Sequence, residues 1–344
     1  MLDQKLLRAN INDVAEKLKR RGFNLDIAEF QRLESSRKAL QTKTEELQAT
    51  RNERSKSIGQ AKAKGEDIAP LLKEVGDLGD QLKEAETSLH QLQEEFNHFL
   101  LLIPNIPDDS VPVGLKEENN IEVRKYLEPK TFDFEPKSHF ELGEKLGLMD
   151  FETAAKLSGS RFVVMYGNFV KLHRALINLM IDMHVKAGYQ EIYVPYLVNQ
   201  ACLYGTGQLP KFADAQFNIQ EGEGGREGMD RLTLIPTAEV PVTNVLRDKI
   251  VDEKELPMKI VCHTPCFRSE AGSYGRDTAG MIRQHQFEKV ELVKMVLPSQ
   301  AYEELESLTK DAEAVLQKLK LPYRVMSLCG GELGFSAMKA YDLE

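Results

Sequence analysis

No stretch of the 344-residue chain is apolar and long enough to span a bilayer. Its first residues mix Asp3, Lys5 and Arg8 with apolar side chains, which argues against a secretory leader. The expected location is cytoplasmic. Cysteine is scarce and scattered, at Cys202, Cys262, Cys266 and Cys329. Cys262 and Cys266 lie close with His263 between them, but no second cysteine pair or spaced histidine pair completes a zinc site. All four read as reduced core thiols. Positive charge is not in excess either. With 45 Lys and Arg against 54 Asp and Glu, the net charge is -9, which excludes a generally basic nucleic-acid binder and leaves any such work to local patches. The histidines suggest no nucleophilic relay, because His90 and His98 fall in a predicted arm and His173 and His184 in a predicted helix.

Hydrophobic residues, at 42%, are ample for a core, and the length suits two domains. Residues up to Arg21 read as a short helix with a basic end, closed by Gly22. From Leu71 through Val75, Leu78, Leu82, Ala85, Leu89, Leu92 and Phe96 to Phe99, apolar residues alternate steps of four and three. That is a coiled-coil seam. Phe30, Leu33, Leu40, Leu47, Ile58 and Ala61 keep the same rhythm more weakly, with polar Arg37, Thr44, Arg51 and Arg54 between them. The turn at residues 64–67 and Pro70 at the next helix start predict two antiparallel helices over about 27–99, an arm standing away from a body. Arg51, Arg54, Lys56, Lys62 and Lys64 cluster toward its tip, with Glu53 against them. They read as a solvated face, a zipper for a partner protein, or a finger that grips an RNA backbone by shape. Residues 103–114 carry three prolines and no periodicity, and predict a linker. The expected division is 1–102, 103–114 and 115–344, the last an α+β body.

Within the body, residues 168–186 carry helical spacing up to Gly188, and 189–195 read as a strand ending at Pro195. Residues 232–239 read as a short strand running into Thr237, Ala238 and Glu239. That end suits a helix start capped by Thr237, and equally a binding loop. The run FRSEAGSYGRDTAGMIRQHQFEKVE, residues 267–291, concentrates chemistry. Alternation places Arg268 and Glu270 on one strand face, and Arg283, Phe287 and Glu291 on one face of a second strand. Between them lies a glycine-rich connection, and a plain surface hairpin with salt bridges fits the same pattern.

That run resembles motif 2 of the class II aminoacyl-tRNA synthetases, in the form used by seryl-tRNA synthetases. The helix–Gly–strand–Pro195 unit resembles motif 1, the three residues 237–239 resemble the family's serine-binding Thr-x-Glu loop, and the IPNIP of residues 103–107 also resembles the family. The resemblance runs from MLDQKLLRAN to GFSAMKAYDLE. It implies an N-terminal coiled-coil arm followed by a body with a mainly antiparallel sheet. It implies a serine–tRNA ligase, a homodimer meeting at Pro195, with ATP and Mg2+, L-serine, tRNA(Ser) and tRNA(Sec) as partners. By the same resemblance Thr237, Ala238, Glu239 and Glu291 hold serine. Arg268, Ser269, Glu270 and Phe287 hold ATP. Arg276, Arg283 and His285 contact pyrophosphate or the tRNA acceptor end, and the basic arm residues hold tRNA. The family's third motif and metal-ligating acids find no match before Glu344. The expectation that follows is an incomplete sheet, Mg2+ ligands outside these residues, and a chain that binds tRNA better than it forms adenylate. An impaired tRNA-binding paralogue is the alternative. A ligase that loads a carrier protein lacks the arm, and a purely structural coiled coil lacks the nucleotide motifs.

Overall fold

The computed structural model describes residues 2–219, 231–270 and 279–344. They form two compact units, one of Met1–Asn119 with Cys329–Lys339, the other of Asn120–Leu328 with Ala340–Glu344.

The first unit holds three helices: α1 (Gln4–Lys19), α2 (Ile27–Lys64) and α3 (Ala69–Leu101). Asp26 caps α2 by accepting from the Glu29 amide, Gly65 ends it at φ 74, and proline opens α3. At 38 residues α2 runs about 57 Å. Its partners on α3 descend in number as its own ascend. Phe30 meets Phe96 with ring centroids 5.7 Å apart, Arg32 meets Glu95 at 2.6 Å, and Arg54 meets Glu74 at 3.0 Å. The helices are therefore antiparallel, as the short turn requires. Thr44, expected among the polar interruptions, is buried in the seam instead, and its hydroxyl donates to the Leu40 carbonyl at 2.8 Å. A polar side chain is tolerated there because its own helix satisfies it. Leu7, Val14 and Leu18 of α1 close one end of the pair over Phe30, Leu33, Phe96, Leu100 and Ile103.

The proline-bearing residues 103–114 are bonded, not loose. The amides of Asn105 and Asp108 donate to the carbonyls of Phe335 and Met338 at 3.0 and 2.9 Å. The Arg21 guanidinium ties both segments to α1, donating to the carbonyls of Asn105, Leu333, Gly334 and Ala337 at 2.7–3.0 Å. Gly330 is required by the same packing, since a Cβ there would stand 2.0 Å from the Arg20 carbonyl oxygen.

The second unit runs β1 (Ile121–Tyr126), α4 (His139–Lys145), β2 (Met149–Asp150), α5 (Phe151–Ser158), β3 (Val164–Met165), α6 (Gly167–Lys186), β4 (Gln190–Glu191), β5 (Leu197–Asn199), α7 (Gln200–Gly205), β6 (Leu232–Leu234), α8 (Glu239–Asn244), β7 (Met258–Phe267), β8 (Gln286–Met295), α9 (Ala301–Lys318), β9 (Tyr323–Ser327) and β10 (Tyr341–Leu343). Among the described residues four small sheets result, of order β1-β9-β10, β2-β3, β4-β7-β8 and β5-β6, and among their pairings only β4–β7 is parallel.

The long β7–β8 hairpin organises this unit, pairing from Met258↔Met295 to Phe267↔Gln286. Its two faces bury different things. Ile260, Cys262, Val293 and Met295 pack with Ala238 and Val242 at α8. On the opposite face Lys294 reaches α9, where its ammonium meets Glu304 at 2.9 Å, the Ser307 hydroxyl at 2.8 Å and Asp311 at 3.3 Å. Period-two alternation makes one strand pair serve both.

Three strand expectations need correction. β4 is two residues long rather than reaching Pro195, although the Ile192 amide still donates to the Val261 carbonyl at 3.1 Å. β7 stops at Phe267, so Arg268 and Glu270 do not share a strand face, and Glu270 turns left-handed at φ 49. β8 begins at Gln286, so Arg283 precedes it, and of the three expected residues Phe287 and Glu291 alone share its face.

Candidate active site

Three chain segments are stitched together by backbone bonds where β7 ends. The Phe267 amide donates to the Ile235 carbonyl at 2.9 Å, the Arg268 amide to His285 at 2.9 Å and the Ser269 amide to Ala215 at 3.1 Å. This brings the 235–239 loop alongside the hairpin. Buried Val240 and Val242 then anchor α8, whose first residue is Glu239. Thr237 leads into α8, whose N-cap is Ala238 rather than the expected Thr237, and its hydroxyl accepts from the Glu239 amide at 3.3 Å.

Thr237 and Glu291 meet although 54 residues separate them. The Thr237 hydroxyl donates to Glu291 Oε2 at 2.7 Å. Arg268 approaches from the end of β7. Its Nε donates to the Pro236 carbonyl at 3.2 Å, and its guanidinium lies 5.3 Å from the centre of the Phe287 ring. Stacking plus one fixed N–H orients the remaining fork, which a lysine cannot reproduce.

Glu239 is exposed to solvent yet closely ringed. Crowding that costs its carboxylate hydration, and then the nearby Glu291, push its pKa up, while Lys289 and Arg268 pull it down. Glu291, Lys289 and Arg268 are therefore close enough to act on Glu239.

Lys289 went unassigned in the sequence reading. It stands between Phe287 and Glu291 on the same face of β8, so parity alone was a sufficient signal. Its ammonium lies 2.5 Å from Glu291 Oε2 and donates to the Thr237 hydroxyl at 2.7 Å. Beneath it, β7 presents Cys262 opposite Glu291, Thr264 opposite Lys289 and Cys266 opposite Phe287, all buried. Burial, then Glu291, pushes the Cys262 thiol up to about 11, so it is packing and not a nucleophile.

The other expected residues take distinct places. Ser269 donates its hydroxyl to the Asp214 carbonyl at 2.9 Å and pins the 213–215 turn. Glu270 pairs with Arg283 at 2.9 Å. His285 holds the Arg268 carbonyl through Nδ1 at 2.9 Å, with Phe162 and Phe217 around its ring. Its described contacts hold the hairpin mouth together. Arg276 lies outside the described residues. Arg268, Glu270, Arg283 and Phe287 line a groove of about 760 Å³ together with Phe162, Val164 and Met165. That volume suits a small-molecule site. Among the described residues no group of three His, Cys, Asp or Glu side chains is placed to hold a metal ion. Pro195 is exposed, and on α6 only His184 is buried. In the first unit Arg51, Arg54, Lys56, Lys62 and Lys64 are all exposed.

Comparison with known proteins identifies the family. Residues 1–107 match the model of the seryl-tRNA synthetase N-terminal domain, and residues 217–344 match the class II tRNA synthetase core domain (G, H, P, S and T). Over its full length the chain is 59% identical to a serine–tRNA ligase of Hydrogenovibrio crunogenus and 57% identical to one of Stutzerimonas stutzeri, covering 80% of each. It superposes on the seryl-tRNA synthetase of Pyrococcus horikoshii complexed with ATP with a TM-score of 0.85 at 33% identity, covering 80% of that chain. A cytoplasmic serine–tRNA ligase of Naegleria fowleri in complex with AMP gives 0.81 at 27%, covering 81%. The chain belongs to the seryl-tRNA synthetase family of class II aminoacyl-tRNA synthetases.

Proposed function

We propose that this chain is a serine–tRNA ligase, which activates L-serine with MgATP and transfers it to tRNA(Ser), and by family to tRNA(Sec). One observation carries the reading: the Thr237 hydroxyl is bonded to Glu291 at 2.7 Å, and Glu291, Lys289 and Arg268 all act on the Glu239 carboxyl. The Glu239 carboxylate receives the serine ammonium. Glu291 accepts the hydrogen bond of the serine hydroxyl, so alanine leaves an acid unpaired and is rejected. Thr237 and Ala238 shape the loop that presents Glu239, and Thr237 holds Glu291 on β8. Arg268 spans the serine carboxylate and the α-phosphate, and Phe287 gives adenine a face to stack on. Ser269 and Glu270 set the loop beside the nucleotide. Arg276, Arg283 and His285 serve the pyrophosphate and the acceptor end.

Reaction needs only positioning and charge neutralisation. The serine carboxylate attacks the α-phosphorus in line and pyrophosphate leaves; the terminal ribose hydroxyl of tRNA then attacks the seryl carbonyl, loses its proton, and expels AMP as the acyl–phosphate bond breaks. Magnesium enters as the companion of ATP. Exposed Arg51, Arg54, Lys56, Lys62 and Lys64 meet the tRNA backbone. The apolar residues of α6 that stay unburied, Leu172 and Leu176 among them, support a homodimer contact near Pro195. By family the location is cytoplasmic; no helix among the described residues is long and apolar enough to cross a membrane.

The test is ATP–pyrophosphate exchange with serine, alanine and threonine in turn, followed by charging of tRNA(Ser). Exchange driven by serine alone is expected. Equal exchange with all three, or none with serine, contradicts the assignment.

A further inference from the structure

The two oxygens of Glu291 are not equivalent. Oε2 takes both the Thr237 hydroxyl at 2.7 Å and the Lys289 ammonium at 2.5 Å. The Thr237 hydroxyl is itself fully committed. It gives its one proton to Glu291 and accepts from Lys289 Nζ at 2.7 Å and from the Glu239 amide at 3.3 Å. No lone pair of that hydroxyl is left for an incoming ammonium. Lys289 in turn is fixed by its register opposite Thr264, which is fully buried in the hairpin. Three atoms thus close a triangle whose sides are all charge-assisted or hydroxyl bonds.

We infer that Lys289 is a positioning residue for serine selection: with Thr237 it immobilises Glu291 through Oε2, so that Oε1 alone is presented to the hydroxyl of the substrate. Lys289 does not touch the reacting atoms. Its charge also acts on Glu239 in the direction opposite to that of Glu291. Without it, Glu291 keeps only the Thr237 bond and can rotate. A rotated acid no longer distinguishes a hydroxymethyl group from a methyl group. The inference rests on the serine reading of Glu291 given above.

The experiment uses the full chain and calorimetric binding of the sulfamoyl analogues of seryl- and alanyl-adenylate, with ATP as a third ligand. In Lys289→Met, preference for the seryl over the alanyl analogue is expected to fall by about tenfold or more, with ATP affinity unchanged. Lys289→Arg should restore most of the preference, because it returns a cation to Oε2. Glu291→Gln separates the two claims. If Glu291→Gln lowers the preference and Lys289→Met does not, the positioning role is wrong while the serine reading stands. If Glu291→Gln has no effect, both fall. A Lys289→Met chain that loses ATP and both analogues together, with a lowered melting temperature, and an Arg variant that does the same, would show Lys289 to be merely structural.

Discussion

Glu239 is the acid whose behaviour is most sharply constrained. Its carboxyl is pushed up from the ordinary glutamate range by lost hydration and by Glu291. A raised acid pKa keeps the proton on to higher pH, and only the ionised form attracts an ammonium. Serine affinity should therefore weaken as pH falls, beginning above the pH at which an ordinary glutamate protonates. Glu239→Gln should raise the serine Kd by roughly 10–100-fold, or about 1.5–3 kcal/mol, and flatten that pH dependence. Calorimetric titration of serine across pH reads both. Arg268→Lys keeps charge but loses the stack on Phe287 and the bond to Pro236. Exchange should fall by about 10²–10³-fold, an effect steady-state kinetics will resolve.

Helices and strands carry their own tests. Phe96 sits where α1, α2 and α3 meet, against the Phe30 ring. Phe96→Ala should cost about 3–5 kcal/mol, seen as a lower midpoint in denaturant unfolding of the helical unit. On α6 the apolar residues that would be core in a monomer are not buried; Leu172 is 55% exposed. A double change, Leu172→Glu with Leu176→Glu, should convert a sedimenting dimer to monomer, and an unchanged sedimentation coefficient would remove α6 from the interface. His184, the one buried residue of α6, has its pKa lowered by burial, with Asp311 acting in the other direction. A depressed histidine resists protonation in the folded state. The unfolded chain then binds more protons, so stability is lost on acidification from about pH 6.5 downward. His184→Phe should make the melting temperature less sensitive to pH in that window.

Charge distribution decides how the chain meets a polyanion. The net charge of -9 repels RNA in general, while Arg51, Lys56, Lys62 and Lys64 are exposed together on α2. Changing those four to Gln should weaken tRNA binding, and should reduce the slope of log affinity against log salt by on the order of 3; filter binding across salt measures it. Adenylate formation should not change. Much of this was legible beforehand because it is periodic. Steps of three and four gave α2 and α3, Gly65 and Pro70 gave their turn, and alternation put Phe287 and Glu291 on one face. Such patterns need only the repeat of a helix or strand. They failed where the backbone left its repeat, as at Glu270, or where a side chain satisfied itself, as at Thr44. The segment Cys329–Lys339 returning to Arg21 carried no local signal either. The amino-acid order alone settled the elements and the residue types available for chemistry. Packing alone settled that the Thr237 hydroxyl, the Lys289 ammonium and one oxygen of Glu291 close on each other, because a contact across 54 residues exists only once α8 and β8 share a core.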